Sequence, residues 1–329
     1  MASLLQLDDL SLSFAIGDVG IPVVRGVDLS VSKGEIVGLV GESGCGKSVT
    51  CMAAMGLLDD AGTLGGDVLW KGQKIKPTND AAMSALRGNE MAMIFQDPMS
   101  ALNPVKRIGK QLTEAIRINS PTRLSRSHLR AQAIQLLGDV GVPEPEKRLS
   151  AYPHQLSGGL SQRVMIAMML AGDPDLLIAD EPTTALDVTV QAQIMDLLKN
   201  LRDTRGMSVI LVTHDLGVVA EVCDRIYVMY CGRIIESGTV RDVFANPQHP
   251  YTSGLLASLP RVDQAKGDLS PVPGIVPLPT ELGSGCDFAA RCSRKLPRCD
   301  SETPALSAAA NGAVCACFNP YDGSEGRAQ

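Results

Sequence analysis

The chain has 329 residues, 45% of them hydrophobic and 20% charged, with a formal net charge of −6 at pH 7. This is globular composition, long enough for roughly two or three domains, and it lacks the basic stripe that a phosphate-backbone grip on nucleic acid requires. No uninterrupted apolar run approaches the ~18 residues that span a bilayer, and residues 1–9 lack the basic-then-apolar layout of a signal peptide, so a soluble intracellular protein is expected. Work at a membrane would require another protein to supply the spans.

Residues 35–40 (Glu-Ile-Val-Gly-Leu-Val) form an apolar run that reads as a strand, and residues 49–55 read as a helix. Between them, residues 41–48 read Gly-Glu-Ser-Gly-Cys-Gly-Lys-Ser, the P-loop pattern in its strand–loop–helix setting. Backbone N–H groups can wrap a triphosphate only where no Cβ intrudes, which suits Gly41, Gly44 and Gly46. The following helix N-terminus adds donors and a positive dipole end. Lys47 supplies a mobile charge near the β/γ-phosphates, and the Ser48 hydroxyl suits a Mg²⁺ ligand. Ser43, Cys45 and Val49 belong to the same nucleotide-contacting stretch.

Farther along, Trp70 falls in a strand and turn over 67–72, where packing in an antiparallel subdomain is the simpler reading than ligand binding. Residues 91–95 read as a buried strand leading into Gln96. Residues 123–130 are basic and read as a solvated helix face or loop. Ser157, Gly158 and Gly159 precede an apolar helix over 164–170. Ser157 suits an N-cap, and the glycines leave the helix start open to an anion, although Ser-Gly-Gly before a helix is often only a cap. Residues 175–179 read as a buried strand ending in Asp180 and Glu181. An isolated Asp-Glu can be a solvated turn. In a chain with a P-loop it suits Mg²⁺ binding by Asp180 and general-base catalysis by Glu181. A further strand over 208–212 is followed by His214, a position from which a γ-phosphate is reachable.

The order of P-loop, Gln96, Leu-Ser-Gly-Gly, Asp-Glu, Asp187 and His214 resembles the ATP-binding subunit of an ABC transporter, over residues 5–258. The resemblance implies an α/β fold: a P-loop NTPase (RecA-like) core, an antiparallel β subdomain, a helical subdomain over about 97–170, and a small Cys-rich C-terminal extension over 259–329. It makes residues 41–48 the Walker A loop, Gln96 the Q-loop glutamine, and Ser157, Gly158 and Gly159 the signature. Asp180 and Glu181 become the Walker B pair, Asp187 the D-loop aspartate, and His214 the switch histidine. Phe14 occupies the place of the adenine-stacking aromatic. Lys47, Gln96, Glu181 and His214 are the implied catalytic residues, with Ser48, Gln96 and Asp180 around Mg²⁺. Leu160 stands where glutamine is frequent in the signature. In such proteins the signature of one subunit faces the P-loop of another, so this single P-loop and signature imply a second ATPase subunit, a paralogue in a heterodimer.

Residues 246–260, with the His249-Pro250-Tyr251-Thr252 core, resemble the C-terminal extension of oligopeptide/dipeptide importer ATPases. Residues 271–279 read as a stiff Pro-rich connector. Five of the nine cysteines crowd the last 44 residues, and Cys286, Cys292, Cys299 and Cys317 follow a Cys-x5-Cys-x6-Cys-x17-Cys spacing. Crowded thiols in a reducing compartment favour a metal over disulfides. The spacing lacks the Cys-x2-Cys knuckles of structural zinc sites, and soft thiolates suit an iron–sulfur cluster. Zinc, free thiols and a disulfide remain alternatives. The subfamily resemblance implies a [4Fe–4S] cluster on these four, with Cys317 a better last ligand than Cys315 because Pro320 follows it. A segment of this size with little apolar sequence cannot easily bury its own core, so a metal is expected to supply cross-links. Cys45, Cys51, Cys223 and Cys231 read as small packing residues.

The implied function is ATP-driven import of di- or oligopeptides. The chain would sit peripherally on the cytoplasmic face of the inner membrane, with two permease subunits and, indirectly, an external binding protein. Nickel chelates, glutathione or another small solute are alternative cargoes. A non-transport ABC ATPase acting on nucleic acid or ribosomes is the alternative of another class, and a redox- or iron-sensing role for the extension is a third reading.

Overall fold

The computed structural model describes residues 3–17, 19–58, 62–184, 186–259, 272–309 and 313–321. They fall into two compact units, one of residues 1–32, 36–77 and 213–329, the other of residues 33–35 and 78–212.

The first unit contains an antiparallel sheet ordered Val19–Ser32, Ser3–Ile16, Gly62–Trp70, Gln73–Ile75. Its register pairs Leu7 with Leu29, Leu5 with Trp70 and Phe14 with Gly62. Leu29 and Val31 alternate with exposed or half-buried neighbours, the period of a half-buried strand. Trp70 is buried at the strand end, a packing residue as its sequence context suggested. The same unit holds the strand Ile36–Val40, buried along its whole length and parallel to Arg225–Tyr230. Burial on both faces explains why this segment reads as a continuous apolar run. Arg225–Tyr230 turns through Cys231 and Gly232, both at positive φ, into the antiparallel strand Arg233–Thr239, as a two-residue primed hairpin turn demands.

The extension does not stand alone. Val314–Cys315 pairs with Arg233–Thr239, and Phe288 and Ala313 lie in one buried cluster with Val228, Tyr230 and Tyr251. The extension, expected to bury little core of its own, shares the core of the first unit. Residues 260–271, which include the first proline of the connector, lie outside the described residues.

The second unit has a parallel set of strands ordered Met91–Ile94, Leu176–Asp180, Ser208–Thr213. Between 97 and 170 the described residues form helices and turns without strands, chiefly Ile108–Asn119, Arg126–Asp139 and Gly158–Met169. Helix Arg126–Asp139 buries Leu129, Ala133, Leu136 and Leu137 and exposes Arg126 and Arg130, the stripe of a surface helix. Helix Val188–Arg205 closes with Gly206 in the left-handed conformation.

Candidate active site

In the first unit the strand Ile36–Val40 feeds directly into the loop over 41–48. A Cβ on Gly41 would lie 2.3 Å from the Met229 carbonyl oxygen, so only glycine fits there. Cys45 is buried beneath the loop, and burial raises its thiol pKa while the nearby Lys47 opposes the rise. Helix Lys47–Ala54 starts at Gly46. Lys47 is only 5% exposed, and its Nζ donates to the carbonyl oxygens of Gly41 at 2.8 Å and Glu42 at 3.0 Å. Ser43 and Gly44 are exposed, while Ser48 and Val49 are half-buried in the first helical turn. A glycine-bearing loop, a helix start and a buried ammonium group thus adjoin in this segment.

Glu42 has unexpected partners. Its N–H donates to Tyr251 Oη at 2.9 Å, and its carboxylate accepts a bidentate pair from Arg291, at 2.7 Å from Nη1 and 3.0 Å from Nη2. Tyr251 sits in helix Pro250–Ala257, which His249 caps by accepting the Tyr251 N–H on Nδ1 at 3.0 Å. Full burial depresses the His249 pKa to about 3 and keeps the ring neutral, as that acceptor role requires. The N–H groups of Gln248 and His249 donate to the buried Glu236 carboxylate, whose pKa desolvation raises. The His-Pro-Tyr motif therefore braces the P-loop. The His249-Pro250-Tyr251-Thr252 core was expected only as a family resemblance, without this role, and nothing in the sequence pattern singled out Arg291.

Phe14 is half-buried on the antiparallel sheet opposite Gly62. His214 is exposed directly after Thr213, and the following Asp215 caps helix Leu216–Val222.

In the second unit the strand ends at Ile94, one residue short of the expected buried run, and Phe95 is 40% exposed where the chain turns out. Gln96 follows, and its Nε2 donates to Glu181 Oε2 at 3.1 Å. Thr184 Oγ1 donates to the same oxygen at 2.9 Å. Glu181 has φ 44, left-handed for a non-glycine residue, while its N–H remains bonded to the Val212 carbonyl. Asp180 is buried as the last residue of strand Leu176–Asp180. Ser157 caps helix Gly158–Met169 through the Leu160 N–H. A Cβ on Gly159 would approach Val190 Cγ1 to 2.7 Å, so the start of this helix lies against the start of Val188–Arg205. Asp187 caps that second helix by accepting the Val190 N–H at 3.0 Å. Gln96 with Glu181, and the glycines of the expected signature with the Asp187 turn, are thus brought together.

The sulfurs of Cys286, Cys292, Cys299 and Cys317 each accept a backbone N–H, from Phe288, Arg294, Leu296 and Asn319 respectively. Burial pushes the Cys286 and Cys317 thiols up to about 11, and the charges of neighbouring cysteines add to the rise. Among the described residues no group of three or more His, Cys, Asp or Glu is gathered closely enough to hold a metal ion. Cys315 faces differently: it lies in the strand Val314–Cys315 opposite Glu236, and desolvation raises its pKa.

A family profile for ABC transporters matches residues 24–184, and one for the C-terminal region of oligopeptide/dipeptide transporters matches residues 235–299. The dipeptide transport ATP-binding protein DppD of Bacillus subtilis is 46% identical over 320 residues, covering 97% of this chain and 95% of that protein. This chain belongs to the ABC transporter ATP-binding family, in its oligopeptide/dipeptide branch. DppD of Escherichia coli is also 46% identical, over 97% of this chain and 98% of its own length. Oligopeptide transport ATP-binding protein OppD of Mycobacterium tuberculosis is 48% identical over 97% of this chain, but the chain spans only 52% of that relative's length. Among solved structures, the dimeric ATP-binding cassette MJ0796 bound to ADP and Pi matches with a TM-score of 0.65 and 29% identity. The match covers 72% of this chain and 99% of MJ0796. Among the described residues no helix is long and apolar enough to cross a membrane.

Proposed function

We infer that this ABC ATPase is the ATP-hydrolysing subunit that powers uptake of di- or oligopeptides, docked peripherally on membrane permease subunits at the cytoplasmic face. The observation that carries this reading is the presence in one chain of a formed P-loop and the oligopeptide/dipeptide C-terminal region, alike over nearly the whole length of dipeptide transport subunits. The domain division follows: an ATPase domain over 1–258, with its helical part over about 97–170, and an extension over 259–329.

Lys47 exchanges the Gly41 and Glu42 carbonyls for the β/γ-phosphates, and the loop N–H groups take the remaining oxygens. Ser43, Gly44, Gly46 and Val49 line this cradle, and Phe14 stacks on the base. By the family resemblance Ser48, Asp180 and Gln96 are the residues that would hold Mg²⁺, which would lower the charge on the phosphate oxygens. Glu181 accepts a proton from the attacking water, with Gln96 and Thr184 fixing its carboxylate, and His214 steadies the γ-phosphate. Ser157, Gly158, Gly159 and Asp187 serve the nucleotide of a second ATPase subunit, a paralogue of this chain. The dimeric state of MJ0796 is the support for that pairing.

For the extension, the donor set fits a [4Fe–4S] cluster on Cys286, Cys292, Cys299 and Cys317. Each sulfur already accepts an N–H, the arrangement that stabilises thiolate ligands. The spacing argues against zinc as the occupant. Such a cluster would cross-link the extension.

Co-expression with neighbouring permease genes and reconstitution in liposomes tests the function. Peptide-dependent ATP hydrolysis with both permeases retained is expected. Co-purification with RNA or DNA, and ATPase stimulated by nucleic acid, would overturn it.

A further inference from the structure

Arg291 is the least expected neighbour of the nucleotide loop. It ends the short turn Ala289–Arg291 between Cys286 and Cys292, yet it lies 249 positions from Glu42 in sequence and forms a bidentate pair with that carboxylate. The guanidinium is 9% exposed as a residue and spends its donors completely. Nε reaches the Pro273 carbonyl at 2.7 Å, Nη2 the Val272 carbonyl at 3.2 Å, and Nη1 the Tyr230 hydroxyl at 3.3 Å. Its cation also lies 5.8 Å from the ring centres of both Tyr230 and Phe288. A planar fork held on every side is a rigid support, unlike a surface pair that exchanges with water. Glu42 is fixed at three points: the side chain by Arg291, the N–H by Tyr251, and the carbonyl by Lys47. Two of those three groups come from the C-terminal part of the chain, and the third is the phosphate-binding lysine.

We propose that the C-terminal part of the chain, from the His249-Pro250-Tyr251 motif into the extension, is a positioning element of the nucleotide loop, with Arg291 and Tyr251 as the positioning residues and Glu42 as the point of attachment. Held this way, the Gly41–Glu42 peptide keeps the orientation from which Lys47 moves onto phosphate, and the loop meets nucleotide already ordered. Affinity for nucleotide then depends on the seating of a segment that touches no nucleotide itself. The inference rests on the reading of residues 41–48 as the nucleotide loop.

The test is the dissociation constant of MgADP, read by calorimetry on the full chain, with a thermal melt of every variant. Arg291→Ala and Glu42→Ala should each weaken MgADP by about fivefold or more, the lower end of coupling between distinct sites. The double variant should be no weaker than the worse single variant, and Arg291→Lys, which keeps the charge but loses the fork, should fall between parent and Arg291→Ala. Tyr251→Phe, nearly isosteric, should weaken binding without a matching fall in melting temperature, so the proposal stays testable if Arg291→Ala does not fold. Lowered melting temperatures with MgADP affinity within twofold of the parent would reduce the clamp to a structural contact and overturn the proposal. Additive losses in the double variant would do the same. Lys47→Ala is the control: if it binds MgADP as the parent does, the loop reading itself is wrong, whereas loss there with intact affinity in the other variants sinks only the clamp.

Discussion

Gln96 Nε2 and the Glu181 carboxylate are hydrogen-bonded at 3.1 Å, and Thr184 donates to the same Glu181 oxygen at 2.9 Å. Two neutral donors on one oxygen orient a carboxylate without neutralising it, which suits a base that must accept a proton from water. Replacing Glu181 with glutamine should lower ATP turnover by more than ~10²-fold, the scale of losing one key active-site group, while leaving MgATP binding in place. Turnover near that of the parent would remove Glu181 from the base role.

Lys47 is almost fully buried and bonded to two loop carbonyls. Lys47→Ala should weaken ATP binding by about 10- to 100-fold, the scale of one hydrogen bond to a charged group. Equilibrium titration of ATP against the purified variant checks this, and an unchanged affinity would count against the loop assignment.

The buried His249 gives the chain a pH signature. Its folded pKa of about 3 lies below the ordinary 6.5, so between those values the unfolded state binds the extra proton. Its contribution is complete above about pH 6.5 and is lost as pH falls toward 3, by about 1.4 kcal/mol per pH unit within the window. Glu236 acts in the opposite sense, because its folded pKa is raised and its burial penalty eases as the carboxyl protonates. His249→Asn keeps a helix-capping acceptor and removes the titration. Urea midpoints measured from pH 7 to pH 4 should therefore fall less steeply in the variant than in the parent. Parallel curves would show that His249 is not buried neutral.

The cysteines of the extension differ in what they face. Anaerobically purified protein should carry iron and sulfide with a broad visible absorption. Serine at Cys286, Cys292, Cys299 or Cys317 should abolish it, and Cys315→Ser should retain it, since Cys315 lies in a strand opposite Glu236. Stoichiometric zinc, or no metal in the parent, would contradict the cluster assignment.

Much of this was legible in the sequence because it is local. The strand–loop–helix around Lys47, the cap at Ser157 and the buried strand ending at Asp180 announce themselves within a dozen residues by glycine spacing, capping chemistry and unbroken apolar runs. The end of the strand at Ile94 was overrun because Phe95 is apolar, and apolarity alone does not show where a chain leaves its sheet. The Arg291–Glu42 pair was invisible for a different reason: a contact across 249 positions leaves no periodicity behind. The extension looked coreless because its apolar residues are few. Phe288 and Ala313 find their core in the first unit instead, beside Tyr230 and Tyr251.

The proposed working unit encloses each nucleotide between two ATPase subunits, each giving its P-loop to one ATP and its signature to the other. Analytical ultracentrifugation of the Glu181→Gln chain with its paired ATPase subunit measures that association. MgATP should drive a dimer, and adding Ser157→Arg to the chain should prevent it without loss of ATP binding at the chain's own P-loop. A chain that stays monomeric and hydrolyses ATP at full rate with Ser157 and Gly158 altered would contradict it.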